Sequence, residues 1–339
     1  MSDCSLIKTI SPLSPFRRNV PLFFDKIIKI SVCAVLLGIF SCEAAAQTGE
    51  QYVHNTLDML LRVKTLETDI RLETHVDGKE YTAAGRYEEQ ALQQAPETAA
   101  AKKGTQSPRI FFRSQYRLEV NFAMNSQPDA KSDVNRMTLV CHIDPNDKEK
   151  SVIEKYTSIE GTKQYSSVNI AKLEERLKSA NQEMVFAQIS EVRNLGGLAA
   201  MIRQISRFYE FSEQVVQENL TGSETIPAVK LAGTLKSVYY KELLQQCGGL
   251  DKKGRHPADF PSDVDVWLGR HNNFPYQIRY SNRPLPNSKT KTRLLQETYN
   301  HVIINGEMIP DVKFERLKVP DDVFSMQDDT DNFLRSLGL

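Results

Sequence analysis

The residues with catalytic or metal-binding side chains do not form a recognisable motif. The sequence contains neither a G-x-S-x-G nucleophile elbow nor a phosphate-binding P-loop, and it lacks the dinucleotide-binding fingerprint and the H-E-x-x-H zinc motif. Its six histidines never stand two or four residues apart, so no pair is spaced to bind one metal ion. We therefore expect a protein that is not an enzyme and that needs no cofactor or metal. A hydrolase would need a cluster of Ser and His, or a carboxylate pair, that the sequence does not reveal.

Two smaller groups of polar or reactive side chains have ordinary interpretations. The acidic run Asp328-Asp329-Thr330-Asp331 lacks the closing Glu of a calcium-binding loop, so it indicates a solvated C-terminal segment. Cys141 and Cys247 belong to no CxxC motif. They could form one disulfide in an oxidising compartment, or they could be two separate buried apolar residues.

The most prominent pattern is an apolar surface along residues 110–124. Apolar and polar residues alternate along this segment, and the polar positions include Arg113, Gln115, Arg117 and Glu119. A strand with one apolar and one polar side belongs to an antiparallel sheet that is buried on one side. The next strand repeats the pattern with Met137, Leu139, Cys141 and Ile143. Apart from Ser114, the alternate positions of the first strand are all apolar or aromatic: Ile110, Phe112, Tyr116, Leu118, Val120, Phe122 and Met124.

An amphipathic helix is predicted over Gly197–Phe211, where apolar residues recur at helical spacing. Either this helix fills the concave side of the sheet as an ordinary core, or helix and sheet part to admit an apolar guest. An acyl chain would gain ~0.8 kcal/mol for each buried CH2 group, and such a site needs no catalytic residues. In the second interpretation the cavity is lined by Leu72, Phe112, Tyr116, Leu118, Phe122, Leu139, Met201, Ile205 and Phe208.

The remaining periodicity predicts an α+β protein with one extended antiparallel sheet. A first helix over 50–64 precedes a hairpin whose turn is Asp77-Gly78. Residues 91–108 lose all periodicity and are interpreted as a mobile loop between strands. A second hairpin over 151–168 turns at Glu160-Gly161. Further helices are predicted at 170–180 and 239–247, and further strands at 227–237, 263–269, 276–281, 291–304 and 312–318.

Residues 1–46 have the pattern of a secretory signal peptide. Two lysines precede an uncharged apolar run from Ile30 to Phe40, and the small residues Ala44-Ala45-Ala46 follow it. About 11 apolar residues are too few to cross a bilayer permanently, which takes ~20. No later segment is apolar enough to span a membrane. We therefore expect cleavage after Ala46 and a single periplasmic domain over 47–339.

The alternative to cleavage after Ala46 is lipidation of Cys42. The sequence Ile39-Phe40-Ser41-Cys42 resembles a lipobox, in which a small residue precedes the cysteine that receives the lipid. Cleavage would give a soluble protein, whereas lipidation would anchor the protein in a membrane.

The charge balance gives no reason to expect nucleic acid as a partner. Residues 47–339 carry 38 basic and 40 acidic side chains. A nearly neutral chain has no large field of either sign to attract an anionic polymer or an anionic surface.

Several short motifs of the chain resemble a large-sized, uncharacterised subgroup of the LolA-like exported proteins. They are Leu195-Gly196-Gly197-Leu198, Phe208-Tyr209-Glu210-Phe211-Ser212, Val266-Trp267-Leu268-Gly269-Arg270, Phe274-Pro275-Tyr276-Gln277-Ile278-Arg279-Tyr280, and the stretch from Val319-Pro320 to Thr330. The order of elements is also similar to that of the LolA-type periplasmic lipoprotein carriers. The chain departs from those carriers in its greater length.

The resemblance implies an unclosed β half-barrel covered by a helical lid, with an apolar cavity between sheet and helices. It implies that the protein binds acyl chains of a lipid or a lipoprotein. The alternative is an envelope sensor or protein-interaction module on the same fold. The carriers have an Arg-Pro segment whose arginine contacts the lid. The nearest match here, Arg113-Ser114-Gln115-Tyr116-Arg117, lacks the proline. The alternation places Arg113 on the polar side of its strand, so this lid contact is not assigned.

Overall fold

The computed structural model describes most of the chain between Gln47 and Leu337, and these residues belong to one compact unit. The predicted signal peptide, Cys42 and Phe112 lie outside the described residues, as does the predicted loop except for its first two positions. The described ranges are 47–76, 79–92, 114–123, 135–159, 161–179, 192–221, 225–285, 288–323 and 325–337.

Five α-helices lie within these ranges, and the bounds of α1, α2 and α4 agree with the predicted helices to within two residues. The helices are α1 (Gly49–Arg62), α2 (Ile170–Ser179), α3 (Gly197–Phe208), α4 (Ser237–Gln246) and α5 (Thr330–Ser336). Helix α1 begins where Thr48 and Gln51 cap each other reciprocally, which satisfies two backbone N–H groups of its first turn. Three short 3-10 helices span Lys148–Lys150, Val192–Leu195 and Asp311–Phe314.

Thirteen strands form one sheet in the described part of the chain. They are β1 (Thr65–Val76), β2 (Lys79–Ala91), β3 (Ser114–Ala123), β4 (Arg136–His142), β5 (Val152–Ile159), β6 (Thr162–Asn169), β7 (Tyr209–Phe211), β8 (Val216–Thr221), β9 (Thr225–Leu235), β10 (Asp263–Gly269), β11 (Pro275–Asn282), β12 (Thr292–Ile304) and β13 (Ser325–Asp328).

The sheet is open, as the sequence predicts. Its strand order is β13-β6-β5-β4-β3-β2-β1-β12-β11-β10-β9-β7, with β8 also paired to β9. In the described pairings the terminal strands β13 and β7 do not meet, and every pair is antiparallel except β13 with β6. The expected α+β class with an extended, unclosed antiparallel sheet is therefore confirmed.

One face of this sheet, called the inner face, carries the core. Cross-strand register places Ile70, Tyr87, Leu118 and Leu139 on the same side of neighbouring strands, because residues directly opposite each other point the same way. All four are buried in one apolar cluster. Helix α3 joins the cluster and packs against α1, β3 and β7.

The opposite, outer face is not a purely solvated surface. The segment 309–317 crosses it, and the predicted strand at 312–318 is wrong. Its backbone bonds to side chains of the sheet: Ile309 N donates to Gln90 Oε1 at 2.9 Å, and Phe314 O lies 3.0 Å from Nδ1 of His142. Its alternating apolar and polar residues resemble a strand in sequence, but Phe314 is buried as an anchor against the sheet. Gln115, expected on a wet side, is buried beneath this segment and bonds Asp311.

Three further predictions need correction. The helix predicted to run to Phe211 ends at Phe208, and the chain continues as β7. The acidic run is solvated at Asp328 and Asp331 as expected, but it is part of ordered elements, because Asp328 ends β13 and accepts hydrogen bonds from Thr330 at the start of α5. Cys141 and Cys247 are both free thiols, so the disulfide alternative is wrong in this fold. Burial raises the pKa of Cys247 to about 11.

Candidate ligand-binding site beneath helix α3

Eight of the nine predicted cavity residues lie in or beside one apolar cluster, five on the inner face of the sheet and three on α3. Phe112 lies outside the described residues, and the other eight belong to or pack against one apolar cluster. Leu72 and Phe122 are partly buried at its margin. The fully enclosed members are Tyr116, Leu118, Leu139, Met201, Ile205 and Phe208. The residues chosen from two separate periodic patterns therefore belong to, or pack against, the same apolar cluster.

The C-terminal end of α3 is held by Lys236. Its backbone N–H donates to Phe208 O at 2.9 Å, and its ammonium donates to Ser206 O at 3.1 Å and Arg207 O at 3.0 Å. A cation suits this position, because the last carbonyl groups of a helix carry partial negative charge and have no partner within the helix. The ring of Phe208 also packs edge-on against Tyr239, with centroids 4.8 Å apart.

The N-terminal end of α3 is held by β2. Leu198 N donates to the hydroxyl of Tyr87 at 3.1 Å, and that hydroxyl donates to Glu89 Oε2 at 2.6 Å. Gly197 has a φ of 66° at this contact. A Cβ there would lie 2.6 Å from the Tyr87 hydroxyl and 3.1 Å from the Glu89 oxygens. The glycine pair of the Leu195–Leu198 motif thus permits both the turn and the close approach to β2.

A second set of polar contacts precedes α3 and is called the Arg193 network. Arg193, in the 3-10 helix Val192–Leu195, forms a buried ion pair with Glu297 and donates to the Tyr299 hydroxyl at 3.1 Å. Its guanidinium lies over the ring of Tyr87, 4.8 Å from the centroid. The hydroxyl of Tyr116 donates to the backbone carbonyl of Arg193 at 2.8 Å. Side chains from β2, β3 and β12 therefore fix one residue at the entry to α3.

The ionisation of this region follows from its burial. Burial raises the pKa of Glu89, although hydrogen bonds from Ser114 and Tyr87 act in the opposite direction. Burial opposes the charge of Arg193, but the carboxylate of Glu297 and the nearby phenols hold its pKa well above the usual value. Burial also raises the pKa of Tyr299 well above its usual value. The ion pair with Glu297 thus favours the charged form of Arg193, whereas burial favours the neutral form of Glu89.

Two polar atoms near this pair have no hydrogen-bond partner among the described residues. They are Nη1 of Arg193 and the hydroxyl of Tyr280. Tyr280 lies opposite Leu295 in the β11–β12 register, next to the pair formed by Ile278 and Glu297. Its side chain therefore shares the inner face with Glu297 and is a diagonal neighbour of it. Leaving a buried polar group unsatisfied costs about 1–3 kcal/mol.

The sequence patterns identified the apolar surface but not the polar residues beside it, Glu89 and Glu297. Glu89 follows Tyr81, Ala83, Gly85 and Tyr87 at alternate positions, so its place on the inner face was available from the pattern of β2. Glu297 likewise stands in the inner register of β12, between Leu295 and Tyr299. Two acidic residues in otherwise apolar registers are an informative signal, because buried charges require partners. The identity of their partners depends on long-range folding.

The part of the chain that the structure describes contains no group of three or more His, Cys, Asp or Glu residues arranged to hold a metal ion. No helix in the described ranges is long and apolar enough to cross a membrane.

The fold defines an α+β protein with helices packed on an open antiparallel sheet. No family model and no curated protein matches the chain. Similar solved structures include a DUF1329 family protein from Desulfovibrio piger, with a TM-score of 0.32 and 10% identity over 79% of this chain and 95% of that one. A LolA superfamily protein from Nitrosomonas europaea has a TM-score of 0.23 and 10% identity over 80% and 99% of the two chains.

A third similar structure is the lipoprotein LppX of Mycobacterium tuberculosis. It has a TM-score of 0.31 and 10% identity, over 77% of this chain and 97% of that one. A LolA superfamily protein and a putative outer membrane lipoprotein-sorting protein domain are thus among the structural neighbours. At such low scores and identities these likenesses carry no argument about function.

Proposed function

We propose that this chain is a non-enzymatic exported protein that binds an acyl chain of a lipid, or of a lipidated partner protein, between α3 and the inner face of the sheet. The observation that supports it most is the division of the site. The apolar residues beneath α3 form one surface, while polar side chains hold the ends of the helix. In the proposal α3 acts as a lid that releases these contacts when a guest enters.

An acyl guest would offset much of the cost of lifting α3. Lifting the helix would expose its large buried apolar side chains, Leu198, Met201, Ile202, Ile205 and Phe208, each of which gains about 1.5–3 kcal/mol from burial. An acyl chain that buries about ten CH2 groups at ~0.8 kcal/mol each would gain about 8 kcal/mol. The guest therefore offsets much of the apolar cost, to which the loss of the polar contacts at the helix ends adds.

The proposal is tested by ligand uptake. Delipidated protein comprising residues 47–339 is titrated with a radiolabelled synthetic diacyl lipopeptide, and bound label is measured after gel filtration. Saturable binding near one lipopeptide per protein is expected. A folded protein, checked by circular dichroism, that takes up neither lipopeptide nor monoacylglycerol contradicts the proposal. Recovery of an envelope protein without lipid would favour the sensor or interaction module instead.

The proposed site of action is the periplasm, reached through the signal peptide. Cleavage after Ala46 predicts a soluble mature protein beginning at Gln47, which N-terminal sequencing of the exported protein checks. Lipidation at Cys42 predicts incorporation of radiolabelled palmitate that Cys42→Ala abolishes. The first result supports a carrier that crosses the aqueous space, and the second supports an anchored acceptor.

A further inference from the structure

The Arg193 network contains more hydrogen-bond donors than its own residues use. Among the side chains that the structure describes, Nη2 of Arg193 bonds Glu297 and Tyr299, whereas Nη1 bonds nothing. The hydroxyl of Tyr280 is buried and has no hydrogen-bond partner in the same set. Both residues adjoin Glu297, Arg193 by its ion pair and Tyr280 by its register position on the neighbouring strand. Two unsatisfied donors therefore lie in one region, beside the apolar surface.

We propose that Arg193 and Tyr280 form a subsite for the carbonyl oxygen of an ester- or amide-linked acyl chain. This inference rests on the proposed function and specifies which part of the guest is recognised. A carbonyl oxygen has two lone pairs and can accept from an N–H and an O–H group together. The acyl chain would continue over the apolar surface, so the carbonyl fixes the position of the chain.

The charges around the subsite favour a neutral acceptor over a carboxylate. Glu297 already neutralises Arg193, and Glu89 adds a second carboxyl group nearby. The burial that favours the neutral form of Glu89 would act against any further anion in the same place. The phenols of Tyr87 and Tyr299 complete the surroundings and carry no positive charge. A free fatty acid would bring a third carboxyl group to one guanidinium, whereas an ester or amide would not.

The chain supplies a matched control for Tyr280. Tyr156 on β5 is also buried, and its hydroxyl likewise has no partner among the described side chains. It also has an arginine beside its ring, with Arg136 Cζ 5.2 Å from the centroid. Tyr156 and Glu154 are two residues apart on β5, so both side chains lie on the outer face, away from α3. Tyr280→Phe and Tyr156→Phe thus remove the same atom from comparable surroundings on opposite faces.

The experiment compares three ligands that share one alkyl chain length: 1-monopalmitoylglycerol, its ether analogue 1-O-hexadecylglycerol, and palmitic acid. Dissociation constants are measured at neutral pH for the wild-type protein and both variants. The wild-type protein is expected to bind the ester about tenfold more tightly than the ether, which corresponds to about 1.4 kcal/mol. Tyr280→Phe should remove most of this preference, and Tyr156→Phe should keep it. Palmitic acid should bind more weakly than the ester.

Equal binding of ester and ether by the wild-type protein would overturn the subsite. An ester preference that survives in Tyr280→Phe would overturn the role of Tyr280, and palmitic acid binding as tightly as the ester would overturn the neutral acceptor. Each of these outcomes leaves the proposed function intact, because an acyl chain is still bound. Failure of folded wild-type protein to bind any of the three ligands or the lipopeptide is the distinct result that contradicts the proposed function itself.

Discussion

Two buried carboxylates on opposite faces of the sheet hold arginines in different ways. On the inner face, Glu297 and Arg193 are 7% and 6% exposed, so both charges are shielded from water. On the outer face, Glu154 is fully buried but its partner Arg316 is 54% exposed. Glu154 also accepts from the Tyr165 hydroxyl at 2.7 Å and from the backbone N–H of Leu317. One arginine is enclosed with its partner, and the other reaches the bulk solvent.

This difference separates a structural attachment from a pair that, in the proposed function, lies where the lid helix opens. Glu154 has enough donors around it to anchor the C-terminal segment, and the charge of Arg316 stays hydrated whether or not the pair forms. The Arg193–Glu297 pair leaves donors unsatisfied and lies at the entry to the helix that covers the apolar surface.

The largest expected effect is on stability, when the carboxylate of Glu297 or that of Glu154 is removed. Glu297→Ala leaves Arg193 buried without its partner, which should lower the free energy of unfolding by about 3–5 kcal/mol. Glu154→Ala should cost less, about 1–3 kcal/mol, because Arg316 already contacts water and the main loss is in the hydrogen bonds. Urea denaturation of both variants measures the difference. A larger loss for Glu154→Ala would reverse the comparison.

The close approach at the start of α3 should be next in size. Gly197→Ala combines an unfavourable positive φ with a Cβ 2.6 Å from the Tyr87 hydroxyl, and should destabilise the protein by about 3 kcal/mol. Gly161→Ala is the control, since its φ is 78° and a Cβ there meets no atom within 4 Å. It should cost only about 1 kcal/mol. If the two variants lost the same free energy of unfolding, the contact of the added Cβ with Tyr87 and Glu89 would be unimportant.

The pH dependence of stability should report on Glu89. Because burial raises the pKa of Glu89 in the folded state, its contribution is fully present below the unfolded pKa and is lost as pH rises through the folded pKa. The stability of wild-type protein relative to Glu89→Gln should therefore fall with rising pH from about 4.3 upward. Unfolding free energies of both proteins across this interval test the sign. A relative stability that rises with pH would indicate a lowered pKa and a charged Glu89.

The smallest expected effect is at the C-terminal end of α3. Lys236→Met removes the ammonium that bonds Ser206 O and Arg207 O but keeps the aliphatic stem and the backbone contact to Phe208. The loss should be about 0.3–1 kcal/mol and should shrink at high salt. Hydrogen exchange of the last turn of α3 provides a local measurement. Lys241→Met on α4 is a matched control, because Lys241 is exposed and should change this protection little.

The sequence was informative wherever a local pattern determined the structure. The alternation along β3 predicted which of its residues face the core, and the helical spacing of Leu198, Met201 and Ile205 predicted which side of α3 is buried. The pattern of Val312 to Leu317 was misleading, since an alternating segment can lie across a sheet as well as within one. The pairing of Arg193 with Glu297 joins residues 104 positions apart. Only the complete fold brings such residues together, so local periodicity could not identify the pair.

The position of β12 in the sheet has a consequence for how the protein folds. In the strand order of the described residues, β12 separates β13 and β1–β6 on one side from β7–β11 on the other, with β1 and β11 as its neighbours. Strand β1 pairs with β12 from Leu66 opposite Ile304 to Thr74 opposite Leu295, so this pairing joins residues more than 200 positions apart. The side-chain hydrogen bonds between the two strands span similar separations in the sequence. Contacts so distant in sequence form slowly. Until β12 is in place, β1 and β11 lack this neighbour and are unpaired strand edges, which are prone to intermolecular pairing.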